Sequence, residues 1–170
     1  ATGEPRRAEA ILQRMMESPY DSVRPDLVSF NQVLHAWAKS GQVDAVERAT
    51  AILDRMELLH RSNGEASLKP DQRSYNNLLN CCANSPNPRK YAPLAQQKLE
   101  WMHLQNDAGM KPSRVSYSIV LRAWCKADLP LKADGLLRDI SRLYRDSKSS
   151  IIAPHVDLFI TVIAGWAVSK

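Results

Sequence analysis

The sequence predicts an all-α fold, a right-handed solenoid of antiparallel helix pairs, and three observations support this. A proline followed five residues later by an aromatic residue occurs four times, at Pro25, Pro70, Pro112 and Pro154. Successive prolines are 45, 42 and 42 residues apart, and a fixed period of about 20–50 residues is typical of stacked repeats. Between the prolines, apolar residues recur at three- and four-residue spacings, as they do in helices. We expect no strands.

The composition is that of a folded protein without a disulfide scaffold. The 170 residues are 44% apolar and include 23 basic and 18 acidic side chains, for a net charge of +5. This composition argues against disorder, and no apolar run approaches the roughly 18–20 residues that a membrane-spanning helix needs. Cys81, Cys82 and Cys125 are odd in number and two are adjacent, so we interpret them as buried thiols in a reducing compartment.

The first helix of each unit begins directly after its proline. In the first complete unit, Phe30, Leu34 and Trp37 recur on one face of the expected helix. Asp26 is the expected N-cap, because its carboxylate accepts free backbone N–H groups, and Gly41 is expected to end the helix in the left-handed conformation. First helices are predicted near residues 27–39, 72–84, 114–126 and 156–168.

A second helix follows in each complete unit and has a recurring Ala-x-x-x-Leu-x-x-(Met/Ile) pattern. The small alanine lets the paired helices approach closely, and the larger residues interdigitate with neighbouring units. Second helices are predicted near residues 44–61, 91–106 and 131–146, with a leading one near 5–17. The expected divisions are a truncated leading repeat (1–26), repeat 1 (27–71), repeat 2 (72–113), repeat 3 (114–155) and the first helix of a truncated trailing repeat (156–170).

Three patterns in these units resemble a known repeat family. They are (Val/Arg)-Ser-(Phe/Tyr)-Asn-x-x-Leu, the second-helix pattern and a closing Pro-Asp, and together they resemble the pentatricopeptide repeat over essentially the whole chain. The units here are longer than the family's usual unit. The nearest rival is the tetratricopeptide repeat, but no unit has its Trp-x-x-Leu-Gly-x-x-Tyr pattern. The resemblance implies a helical solenoid that binds single-stranded RNA.

The charges are unevenly divided between the two kinds of helix. The four first-helix segments contain five basic residues and one acidic residue, whereas the rest of the chain contains 18 basic and 17 acidic residues. In a solenoid the first helices line one surface, so a basic strip there is the footprint expected for a phosphate backbone. The alternative is that these basic residues are simply solvated helix ends.

A small polar residue directly follows the aromatic residue in each complete unit, at Asn31, Asn76 and Ser118. Helix interiors do not favour Asn or Ser, and a fixed place on one helix face suits hydrogen bonding to one base edge per repeat. We therefore expect these side chains to line a shared inner wall, each facing one nucleotide. The alternative is a stacking contact between neighbouring units.

The resemblance also implies a rule for reading bases. In such repeats the residue after the aromatic and the residue after the closing proline jointly select the base, with the RNA running 5′ to 3′ along the repeats. The pair in repeat 1 implies uridine, the pair in repeat 2 implies cytidine, and the pair in repeat 3 matches no familiar combination. The base-reading pairs are Asn31 with Asp71, Asn76 with Ser113, and Ser118 with His155.

Other side chains are expected to hold the base faces and the phosphates. By resemblance, the residue two before the aromatic stacks on bases, and an arginine there would stack its guanidinium. A lysine nine residues after the aromatic is expected to contact phosphate. The predicted base-stacking residues are Val28, Arg73 and Val115, and the predicted phosphate-binding residues are Lys39, Lys126 and Arg122.

No motif in the chain indicates catalysis. The glycines form no phosphate-cradling loop, the histidines lack metal-ligand spacing with the cysteines, and no carboxylate cluster suggests a nuclease. We therefore predict no catalytic residue, no metal site and no cofactor, and we do not expect an enzyme.

The predicted partner is single-stranded RNA, with no membrane association and with protein partners at exposed end repeats. By resemblance, the setting is a mitochondrion or plastid, in RNA processing, stability, editing or translation. Two alternatives stay open. One is a protein–protein scaffold whose groove takes a peptide, and the other is the RNA-recognition arm of a larger enzyme such as protein-only ribonuclease P.

Overall fold

A computed structural model describes residues 4–63, 66–147 and 153–169 of the chain. Within these ranges the structure contains eight α-helices and no strand, so the predicted all-α fold is confirmed. The helices lie close to the predicted segments. They are α1 (Pro5–Met16), α2 (Leu27–Ser40), α3 (Ala45–Asn63), α4 (Gln72–Asn84), α5 (Pro88–Leu104), α6 (Arg114–Lys126), α7 (Pro130–Ser147) and α8 (Val156–Val168).

The helices group into two compact units whose boundary lies inside α4, between Cys81 and Cys82. In the first unit, α1 packs on α2 and α2 packs on α3. In the second unit, α6 packs on α5, α7 and α8, and α7 also packs on α8. Within the two units, the chain neighbours α1 and α2, α2 and α3, α5 and α6, α6 and α7, and α7 and α8 therefore pack together, as they do in a helical-repeat fold.

Each first helix starts with a hydrogen-bonded cap. Oδ1 of Asp26 accepts hydrogen bonds from the backbone N–H of Ser29 at 2.8 Å and from its hydroxyl at 2.7 Å. These hydrogen bonds lower the pKa of the Asp26 carboxyl. At the other end of α2, Gly41 has a φ of 60°, in the left-handed region that glycine tolerates best. Equivalent caps join Asp71 with Ser74 and Ser113 with Ser116.

The aromatic residue of each complete repeat is buried, and where it is a tyrosine its hydroxyl bonds to a polar side chain. Phe30 has no hydroxyl, whereas the hydroxyl of Tyr75 donates to Glu57 at 2.6 Å. The Tyr117 hydroxyl bonds to Nε2 of His103. Glu57 and His103 each directly follow the methionine of the preceding second helix. A tyrosine is therefore matched by a hydrogen-bonding partner in the repeat before it.

Two buried tryptophans are bonded to the preceding second helix in the same way. Nε1 of Trp37 donates to Glu9 at 3.0 Å, and Nε1 of Trp124 donates to Gln96 at 2.8 Å. Glu9 and Gln96 each directly follow the alanine of the second-helix pattern. These bonds satisfy the indole N–H, which is a donor only and costs free energy if it is buried without a partner.

The last helix is less covered than its counterparts. Trp166 occupies the place equivalent to Trp37 but is 48% exposed, and Phe159 is also exposed. Asp134, which corresponds in position to Glu9, accepts a hydrogen bond from Arg138 instead, at 2.5 Å. The apolar face of α8 therefore stays open among the residues that the structure describes.

Three short 3-10 turns, which the sequence did not predict, accommodate part of the extra length of these repeats. They span Asp21–Val23, Ala66–Leu68 and Ala108–Met110, and each ends two residues before the proline of the next unit. Leu68 and Met110 are buried and so anchor their turns. Each turn is followed by a basic residue and then the proline, a pattern visible in the sequence.

His103 makes the second unit sensitive to acid. Burial, together with the charge of Lys111, lowers the pKa of His103 below its ordinary 6.5. Unfolded His103 therefore binds a proton at a higher pH than folded His103 does, and we expect the free energy of unfolding to fall as the pH drops below about 6.5. Denaturant unfolding at several pH values tests this, with His103→Gln as the control that lacks the titrating ring. An equal pH dependence in both proteins would contradict the assignment to His103.

Candidate nucleic-acid interface

Asn31 and Asp71, the pair predicted to read a base in repeat 1, lie in contact. Nδ2 of Asn31 donates to Oδ1 of Asp71 at 3.4 Å, a long hydrogen bond. Asn31 lies on α2 directly after the buried Phe30, and Asp71 caps the start of α4. The first helix of one repeat and the cap of the next helix thus bring the pair together within the first unit.

The Asn31 side chain is more enclosed than the sequence suggests. Only 3% of the residue is exposed, so the expectation that it lies open on an inner wall is wrong for the free protein. The reason is packing against α4, where Nδ2 of Asn77 donates to the backbone carbonyl of Asn31 at 3.3 Å. This packing is the stacking contact between repeats that the alternative interpretation describes.

The contact with Asp71 fixes which way the Asn31 amide points. A carboxylate can only accept, so the amide nitrogen faces Asp71 and the amide oxygen faces away. That oxygen is buried and has no hydrogen-bond partner among the described residues. An unsatisfied buried acceptor costs about 1–3 kcal/mol. The Asn31 oxygen is therefore suited to bind an N–H donor.

The other predicted pairs are placed differently. Asn76 on α4 and Ser113 at the start of α6 are both half-buried and belong to different compact units. In repeat 3, Ser118 is half-buried and His155 is exposed at the start of α8. Nδ1 of His155 lies 2.8 Å from Oδ2 of Asp157, so the ring is engaged at the start of its own helix. The contact between Asn31 and Asp71 in repeat 1 lies within one compact unit.

The predicted base-stacking residues are open to solvent. Val28 is 58% exposed and Val115 is 57% exposed, and Arg73 is exposed as well. Each valine lies one helical turn before the residue predicted to read the base, because residues three apart in a helix are neighbours on its surface. Two exposed apolar side chains at the same place in two repeats offer contact surface for base faces.

The predicted phosphate-binding residues lie on the same side of their helices. Lys39 and Lys126 are exposed, and Arg122 is half-buried one turn before Lys126. Nζ of Lys126 donates to Oδ1 of Asn84 at 3.2 Å, and Asn84 is the residue at the corresponding place in repeat 2. Although much of the side chain is exposed, partial desolvation of its ammonium group, and then the positive charge of Arg122, lower the pKa of Lys126. Two neighbouring cations concentrate positive potential at this end of α6.

Several basic residues of the second helices form ion pairs, whereas three basic residues of the first helices form none in the described part of the chain. Among the described residues, Lys39, Arg73 and Arg114 form no ion pair. A phosphate backbone binds such uncompensated charge most strongly. The pairs of the second helices include Arg6 with Asp44, Arg48 with Glu9, Arg61 with Glu57 and Arg138 with Asp134.

A groove lies beside Lys126 and Arg122, between α6 and α8. Its volume is about 470 Å³, and Cys125, Ile160 and Val168 contribute to its apolar lining. Ile160 takes the place that Asn31 has in repeat 1, so this groove offers basic and apolar contacts in place of a side-chain amide.

The described residues show no other site chemistry. Residues 4–63, 66–147 and 153–169 contain no group of three His, Cys, Asp or Glu side chains that could hold a metal ion. In the same ranges, no helix has the length and apolar content required to span a membrane.

Comparison with known proteins identifies the repeat. A profile of the pentatricopeptide repeat domain matches residues 15–85, and one of the pentatricopeptide repeat matches residues 115–143. The chain belongs to the pentatricopeptide repeat family. Proteins with pentatricopeptide repeats are helical-repeat proteins that commonly bind RNA.

A pentatricopeptide repeat-containing protein of Arabidopsis thaliana is similar along almost the whole chain. The two are 25% identical over 164 residues, which is 96% of this chain and 25% of the relative. The chain thus spans about a quarter of the length of the curated relative that it matches.

Proposed function

We propose that this chain binds single-stranded RNA sequence-selectively, with one base facing each repeat, and that it performs no chemistry itself. The proposal is supported by membership of the pentatricopeptide repeat family and by the side chains of the first helices. By the family's readout rule, Asn31 with Asp71 takes uridine, and Asn76 with Ser113 takes cytidine. Repeat 3 has no assigned base.

The observation that carries the proposal is the unmet acceptor on Asn31. Its amide oxygen is buried without a partner among the described residues, while the amide nitrogen is held by Asp71. Uracil presents an N–H donor at the centre of its Watson–Crick edge, whereas cytosine presents a ring-nitrogen acceptor there. An acceptor therefore favours uridine over cytidine in repeat 1. Because Asn31 is buried, binding requires the residues that cover its amide oxygen to move while the bond to Asp71 is kept.

The exposed residues beside this pair supply the part of binding that is independent of sequence. Val28 offers an apolar surface and Arg73 a planar guanidinium to base faces, and such contacts tolerate any base. Lys39 and Lys126 contact phosphates, and they do so without regard to the base.

Lys39→Ala and Lys126→Ala test the phosphate contacts. We expect each substitution to weaken all RNAs alike and to lower the slope of log affinity against log salt by about one unit. Equilibrium binding to an RNA with a U-C core and to a permuted RNA, at several salt concentrations, measures both effects. Lys132→Ala is the matched control, because Lys132 is exposed on the second helix α7. Losses that depend on the base would count against a phosphate role.

A second candidate function, protein binding through the end repeat, is favoured by the exposed apolar surface of α8. Ile163→Glu places a charge on this surface, and we propose that it disrupts protein association without changing RNA affinity. RNA affinity that is weak and indifferent to sequence would favour this scaffold function. The exposed apolar residues of α8 are Val156, Phe159, Ile160, Ile163, Trp166 and Val168.

For the parent protein we propose a role in a mitochondrion or plastid, in RNA processing, stability, editing or translation. The chain covers a quarter of its Arabidopsis relative. An alternative form of the proposal is that the chain is the RNA-recognition arm of a larger enzyme such as protein-only ribonuclease P. Localising a fluorescent fusion of the parent protein tests the compartment.

A further inference from the structure

We infer that Ser74 is a positioning residue for base selection in repeat 1, acting through the cap that it forms with Asp71. The inference rests on the proposed function, because the base selected by Asn31 and Asp71 is what Ser74 controls. Neither the readout rule nor the sequence pattern assigns this serine a part in recognition.

Three donors converge on one oxygen of Asp71. Oδ1 accepts from the backbone N–H of Ser74 at 2.9 Å, from the Ser74 hydroxyl at 2.9 Å and from Nδ2 of Asn31 at 3.4 Å. In return, the Ser74 oxygen accepts from the backbone N–H of Asp71 at 3.2 Å. Ser74 is fully buried, so water cannot readily replace these bonds.

This arrangement makes the orientation of the Asn31 amide depend on Ser74. The two bonds from Ser74 fix the plane of the Asp71 carboxylate, and the carboxylate in turn holds the amide nitrogen of Asn31. Without the Ser74 hydroxyl, the backbone N–H of Ser74 alone holds the carboxylate, which then orients the Asn31 amide less firmly. The acceptor oxygen of Asn31 is then less well fixed towards the base. A poorly fixed acceptor discriminates less between the N–H of uracil and the ring nitrogen of cytosine.

Ser29 provides a matched control within the same chain. It caps α2 with the same geometry, donating to Oδ1 of Asp26 from its backbone N–H at 2.8 Å and from its hydroxyl at 2.7 Å. Among the described residues, no asparagine from a preceding repeat bonds to Asp26. Ser29→Ala therefore removes a cap without disturbing a base-reading pair, whereas Ser74→Ala does both.

The test compares wild type with Ser74→Ala, Ser74→Thr and Ser29→Ala. The main readout is the ratio of dissociation constants for two RNAs that carry uridine or cytidine at the repeat 1 position. Thermal unfolding of each variant is measured beside it. We expect Ser74→Ala to reduce the preference for uridine by about three- to tenfold. Ser74→Thr, which keeps the hydroxyl, and Ser29→Ala should retain the preference.

A Ser74→Ala protein that keeps the full preference while losing as much stability as Ser29→Ala would overturn the inference. The side-chain amide signals of Asn31 in NMR spectra, recorded without RNA, test the positioning role of Ser74 independently of the proposed function. We expect these signals to shift in Ser74→Ala and not in Ser29→Ala. If wild type shows no base preference, the proposed function fails while these shifts still support the positioning role. Unchanged Asn31 signals in Ser74→Ala would refute the positioning role of Ser74.

Discussion

Asn31→Thr is expected to move the preferred base at one position from uridine towards guanosine. Threonine is shorter than asparagine, which leaves room for a purine, and its hydroxyl oxygen can accept from the N–H donors of guanine. One well-placed hydrogen bond is worth about 0.5–1.5 kcal/mol, so we expect a change of roughly three- to tenfold in the base preference. Affinities for four RNAs that differ only at this position measure the effect.

Stability should change little in the Asn31→Thr protein. The substitution removes the long hydrogen bond to Asp71, but it also removes the buried amide oxygen that has no partner among the described residues. Gln32→Thr is the control, because Gln32 is the next residue of α2 and is exposed. If Gln32→Thr and Asn31→Thr give the same base preference as wild type, Asn31 serves only to stack the repeats.

Gly165→Ala is expected to destabilise the second unit. A Cβ atom at Gly165 would overlap Sγ of Cys125 and would lie 2.9 Å from its Cβ and 3.6 Å from its Cα. Sγ can move with its side chain, but Cβ moves only with the backbone of α6. Overpacking of this kind costs about 1–3 kcal/mol, and we expect it to outweigh the better helix propensity of alanine.

Gly135→Ala is the matched control for that prediction. Gly135 lies within α7, and an added Cβ there meets no atom within 4 Å. Because alanine is the better helix former, this substitution should stabilise the protein by about 0.5–1 kcal/mol. Denaturant unfolding of both variants gives the comparison, and Cys125→Ala in the Gly165→Ala background should recover part of the loss. Equal effects of the two glycine substitutions would contradict the close approach of α6 and α8.

Much of the fold could be predicted because helix starts and ends are encoded locally. Asp26 and Gly41 take the capping conformations that their residue types favour, and the buried aromatics follow the helical period. The 3-10 turns were missed because a segment of three residues is too short to show a periodic pattern of apolar residues. Their burial depends on Leu68 and Met110 reaching a core that forms only when the helices pack.

The residues of the candidate site could be predicted from the sequence, but their exposure to solvent could not. The readout rule paired Asn31 with Asp71, and the structure places them in contact. The burial of Asn31 could not be read from the sequence, because it depends on where Asn77 of the next first helix lies. The role of Ser74 was also missed, since a serine three residues into a first helix is unremarkable until its bonds to Asp71 are seen.

Unbiased selection from a random pool of single-stranded RNA shows whether the repeats read bases. We expect enriched sequences with a uridine followed by a cytidine in the 5′ to 3′ direction and then a position of variable base. We also expect binding of these sequences to weaken as salt is raised. A pool that shows no enrichment, or a protein that binds every sequence equally at moderate ionic strength, would contradict the proposed function.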